Sequence, residues 1–133
     1  MRALPILAAA AAYWVMGALW YSILFAGVWS RGLQAQGITL PEPTPAQLTV
    51  KLALTLVANV AAAVALAWLL TAVGATSVRS ALPVGLLVGV GFGGTALGVA
   101  YTWESKPVSV YLVDAAYHAL GPTVMAVILG AWR

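Results

Sequence analysis

The chain has 133 residues, 63% of them hydrophobic and only 7% charged, with six Lys or Arg against three Asp or Glu. An ordinary soluble domain carries about 25% charge, so this composition excludes a water-soluble monomer, and a net charge of +3 is too small a surplus to indicate nucleic acid. Cysteine is absent, which excludes disulfide frameworks, thiolate metal sites and thiol-based redox chemistry.

The first uncharged stretch runs from Ala3 to Ser30 and predicts a helix over residues 4–28. Arg2 followed by an alanine-rich run imitates a secretion signal. The apolar run continues through Trp14 and Trp20 to Val28, too long for a signal core, so it is read as a retained helix. One side is aromatic: Trp14, Tyr21, Phe25 and Trp29 share a stripe, with Tyr13, Gly17, Trp20 and Leu24 beside it. Trp29, with Trp103 and Trp132, stands at a helix end as an interfacial anchor. Tyr13, Trp14, Trp20 and Tyr21 lie deeper, and their polar atoms need partners in hydrocarbon. They either fill a core beside Gly17 or line a ligand cavity.

The connection from Trp29 to Thr44 is stiffened by Pro41, Pro43 and Pro45. Thr44-Pro45-Ala46-Gln47 reads as a capping box and opens a second helix over 47–70, which carries Thr55 and Asn59. A short turn at 76–80 leads to a third helix over 81–103. There Gly85, Gly89 and Gly93 recur every four residues, with Gly94 and Gly98 on a neighbouring stripe. Small residues at this spacing let helix backbones approach closely in a membrane, either within the protomer or at a homo-oligomer seam.

The fourth helix, over 108–132, holds Asp114 and His118 four residues apart on one face, with Tyr111 a turn earlier. Pro122 lacks an N–H, so the His118 carbonyl loses its helical partner and a kink is expected there. Ionisable groups inside a membrane are costly and functional by default, although a buried pair is often only structural. Each of the four stretches exceeds the roughly 20 residues that cross a bilayer. The expected fold is all-α and integral to the membrane, a single four-transmembrane-helix bundle covering 1–133, with the lipid bilayer as its first partner.

Arg2, Arg79 and Arg133 fall on one side of such a bundle, and Arg31, Lys51 and Lys106 on the other. The positive-inside count is therefore a tie, tipped by the amino terminus toward cytoplasmic termini.

Gly17-Ala18-Leu19-Trp20-Tyr21-Ser22, with Phe25 and Trp29 behind it, resembles a bacterial and archaeal membrane family, domain of unknown function 1761. Tyr117-His118, followed by Met125, Gly130 and Trp132, is similar to that family's closing pattern, and Asp114 stands where a small polar residue is usual. The resemblance covers the two ends of the chain. It implies a small four-helix membrane fold, in the bacterial inner membrane for a bacterial member, and no particular activity.

Matching depths along the helices gathers Tyr21, Trp20, Thr55, Asn59, Asp114 and His118 into one expected polar cluster. Two functions fit it. In the first, a small solute or ion is bound or transported, with a proton exchanged at Asp114 and His118. In the second, the chain is a non-catalytic oligomeric subunit or scaffold, packed against itself or a larger complex through the glycine stripes. No enzyme is expected, because no hydroxyl at a strained turn offers a nucleophile. No cofactor is expected either, since His118 would ligate haem only across a dimer.

Overall fold

In the computed structural model, which describes residues 2–133, five helices and no strands are present among the described residues. They are α1 (Ala3–Leu24), α2 (Ala26–Gln34), α3 (Pro45–Ala72), α4 (Val78–Trp103) and α5 (Val108–Ala131). All but α2 are long and apolar enough to cross a membrane.

The first span is shorter than the sequence predicts. It ends at Leu24, and Phe25 leaves helical geometry at φ −124° and ψ 11°. Val28 and Trp29 therefore belong to a separate helix, α2, which folds over the first turn of α5, where Gly32 lies against Ser109 and Val110. The break has a local cause. The Ser22 hydroxyl donates back to the Ala18 carbonyl, a bond that bends helices, and Trp20 to Leu24 widen into a π turn in which the Phe25 amide donates to the Trp20 carbonyl at 2.9 Å.

The other boundaries fall within three residues of the prediction. The Thr44–Gln47 capping box forms in both directions. A second box, Ser77 with Ser80, starts α4. Gly74, at φ +70°, closes α3: Ala75 donates to the Leu70 carbonyl and Gly74 to that of Thr71, the paired bonds of a glycine C-cap. Ser105 takes the same left-handed turn after α4 at φ 52°, where a side chain costs conformational energy.

In α4, Leu87–Gly94 is π-helical. Gly89, Gly91, Gly93 and Gly94 give this stretch little α-helical propensity, and the Thr95 hydroxyl accepts no regular role but donates to the Gly91 carbonyl at 2.6 Å.

The arrangement is a hub with spokes. Among the described residues α5 packs against all four other helices, whereas α3 and α4 meet only slightly and α1 packs on α3 and α5 but not on α4. The core is built around α5 from Ala9, Ala10, Ala63, Leu66, Leu70, Ala81, Met125, Ala126 and Leu129. The outer faces of α3 and α4 leave Leu54, Val57, Trp68, Phe92 and Val99 more than 60% exposed. Such faces suit hydrocarbon and not water.

Candidate functional site

The antiparallel packing of α1 and α4 against α5 brings side chains from two helices to one carboxylate on the third. Asp114 is only 7% exposed. The Tyr21 hydroxyl of α1 donates to its Oδ1 at 2.5 Å, and the Tyr101 hydroxyl of α4 donates to its Oδ2. No cation pairs with it: the one salt bridge among the described residues joins Lys106 to Glu104 at 2.6 Å.

His118 is one turn farther along α5, and it does not pair with Asp114. Its Nδ1 is hydrogen-bonded to the Tyr13 hydroxyl at 2.8 Å. Its Nε2 has no protein partner among the described residues and is not enclosed. The helical spacing that puts the two residues on one face leaves each to a different tyrosine, because Tyr13 and Tyr21 line the facing stripe of α1.

Tyr117 fills the space between these two bonds. Its ring centroid lies 4.8 Å from that of Tyr13, 5.3 Å from that of Tyr21 and 4.9 Å from that of His118. Three missing side chains make this packing possible. A Cβ at Gly17 would sit 2.5 Å from the Tyr117 hydroxyl, one at Gly121 would enter the Tyr13 ring, and one at Gly93 would press on the His118 carbonyl at 3.3 Å. That carbonyl has no amide to accept from at Pro122, and α5 continues through the proline as one helix.

Of the remaining expected residues, Trp20 is buried, but its Nε1 donates to the Val113 carbonyl at 3.0 Å and not to Asp114. Asn59 is buried beside the Tyr117 hydroxyl, yet its Nδ2 finds no acceptor in hydrogen-bond geometry. Thr55 lies outside the cluster. It is exposed on α3 and donates to the Lys51 carbonyl of its own helix at 2.8 Å. Trp29 is more than an anchor, since its ring meets Tyr21 edge-on at 5.7 Å.

Tyr101 is the side chain of this cluster that sequence reasoning missed. It lies two residues before Trp103, where an aromatic reads as part of the interfacial belt. The signal was the short connection 104–107, which forces α4 and α5 into antiparallel register and sets Tyr101 across from the first turns of α5. Tyr101 also walls a groove of about 560 Å³ between α4 and α5, with Gly98, Trp103, Lys106 and Tyr111. Lys106 Nζ stands 4.4 Å above the Tyr101 ring, and the Tyr111 hydroxyl donates to the Gly94 carbonyl at 3.0 Å. One face of Tyr101 thus meets the groove while its hydroxyl holds the carboxylate.

The glycine stripe of α4 is used inside the protomer. A Cβ at Gly85 would lie 2.6 Å from that of Ala126, and one at Gly89 would collide with the Ala119 backbone. Among the described residues, no group of three or more His, Asp or Glu side chains is disposed to hold a metal ion.

The family described as "Protein of unknown function (DUF1761)" matches residues 4–130, so the chain belongs to that family, and the match includes the middle helices as well as the two ends. No curated protein and no solved structure matches the chain.

Proposed function

We propose that this DUF1761 protein binds a small solute or ion within the membrane and exchanges a proton with it at Asp114. The observation that carries this reading is a buried carboxylate held by two neutral hydroxyls and no cation. An acid within a membrane helix is costly to insert, up to about 2.5–3.5 kcal/mol at the helix centre and less toward its ends. An amide would accept and donate to the same tyrosines without that cost, so a carboxyl group is the choice that adds proton exchange. The groove walled by Tyr101 offers the route, and rotation of that one side chain would open Asp114 to it. His118 Nε2 and Asn59 Nδ2 supply further polar atoms deeper in the cluster.

The same reading puts the protein in the bacterial plasma membrane with both termini cytoplasmic. Its support is the amino terminus on the side of Arg2, Arg79 and Arg133, which tips a Lys and Arg count otherwise tied with Arg31, Lys51 and Lys106.

A second reading is a non-catalytic oligomeric subunit or scaffold packed through its glycine stripes, in which Tyr21 and Tyr101 merely staple α1 and α4 to α5 through Asp114. Infrared difference spectra of the purified protein between acid and alkaline pH separate the two. Under the first reading a carboxyl band appears on acidification and is lost in Asp114→Asn, and dye-loaded liposomes show a pH change that the variant abolishes. If Asp114→Leu with His118→Leu yields a more stable protein with every binding and flux response intact, the pair is structural and the scaffold stands.

A further inference from the structure

At the opposite end of the molecule from Tyr101, α1, α3 and α5 enclose a groove of about 570 Å³ lined by Arg2, Ile6, Ala67, Thr71, Trp132 and Arg133, among others. Its chemistry is divided. Ile6, Ala67 and Leu129 give it apolar surface, and Arg2, Trp132 and Arg133 join the lining just outside the ends of α1 and α5.

Arg133 is fixed in place. Its guanidinium donates to the Ala75 carbonyl at 3.1 Å, the Ala67 carbonyl at 2.9 Å and the Thr71 hydroxyl at 2.9 Å. All three acceptors are neutral, so the positive charge is oriented without being cancelled. No Asp or Glu side chain shares this end: Glu42 and Glu104 lie in the connections at the other end, and Asp114 is within the bundle. We infer that the groove binds an anionic phospholipid, its phosphate between Arg2 and Arg133 and its acyl chains along Ile6, Ala67 and Leu129. Basic pockets between membrane helices take anionic headgroups in this way, and charge-assisted hydrogen bonds from Arg2 and from the N–H groups that Arg133 has left would hold the phosphate oxygens. The apolar share of the lining, Ile6, Ala67 and Leu129, selects a lipid over free phosphate.

The test is native mass spectrometry of the protein released from nanodiscs holding equal amounts of anionic and zwitterionic phospholipid. Wild type is expected to retain the anionic lipid selectively. Arg2→Gln, whose side chain anchors no helix, and Arg133→Gln should each weaken retention roughly five-fold, whereas Arg31→Gln with Lys51→Gln at the other end should not. Arg133→Lys keeps the charge and serves as the folding control. Equal retention of both lipids, loss only in the distal pair, or displacement of the lipid by inorganic phosphate would each overturn the assignment.

Discussion

Asp114 gains its place from hydroxyls that arrive from opposite sides, and neither tyrosine has another protein acceptor among the described residues. Removing one hydroxyl therefore strips the carboxylate of half its donors and leaves a polar oxygen facing an apolar ring. Tyr21→Phe and Tyr101→Phe should each lower stability by about 1–3 kcal/mol. The two should differ in a second respect. Only Tyr101 borders the groove, so Tyr101→Phe should also speed hydrogen–deuterium exchange at the carboxyl group, read from its infrared band, while Tyr21→Phe leaves that rate unchanged. Equal rates in both variants would mean that Tyr101 is not the barrier.

At the scale of the helices, α4 depends on α5. The glycine stripe allows contact so close that backbone meets backbone, where dispersion and weak Cα–H···O contacts replace the hydrophobic drive that lipid removes. Gly89→Leu would put a branched side chain into the Ala119 backbone and should destabilise the protein in detergent by at least about 3 kcal/mol, checked by reversible denaturant titration. Little change would mean that α4 binds elsewhere. The four spans were legible because charge is absent from each, and Thr44–Gln47 because capping is a local signal. The end of α1 was not legible. Its break rests on a serine hydroxyl choosing an internal carbonyl and on a π turn, and neither leaves a mark in hydropathy. Tyr21 and Asp114 were legible as neighbours from helix direction and depth alone. The separation of Asp114 from His118 was not, because it depends on which tyrosine of α1 each one meets.

For the whole molecule, the four spans put the turn at 73–77 and the connection at 104–107 at opposite ends. The chain has no cysteine, so single replacements report cleanly. Ser77→Cys and Ser105→Cys in oriented vesicles should react with an impermeant maleimide from opposite faces. Labelling of both from one face would refute the four-span topology. The hub arrangement also gives the spokes unequal freedom. With α1 and α3 packed together and α4 resting mainly on α5, movement of α4 is the least obstructed way to part Tyr101 from Asp114.

The π-helical stretch of α4 carries a consequence for descent. A wider turn of this kind is what a helix becomes when one residue is added to it and the flanking contacts are kept. Upstream, Gly85 stays against Ala126; downstream, Tyr101 is turned to reach Asp114. Losing a single codon between Leu87 and Gly94 would return the stretch to a tighter winding and swing Tyr101 off the carboxylate without touching the packing of Gly85. A three-nucleotide deletion far from either residue is therefore enough to separate a chain that keeps this carboxylate clasp from one that lacks it.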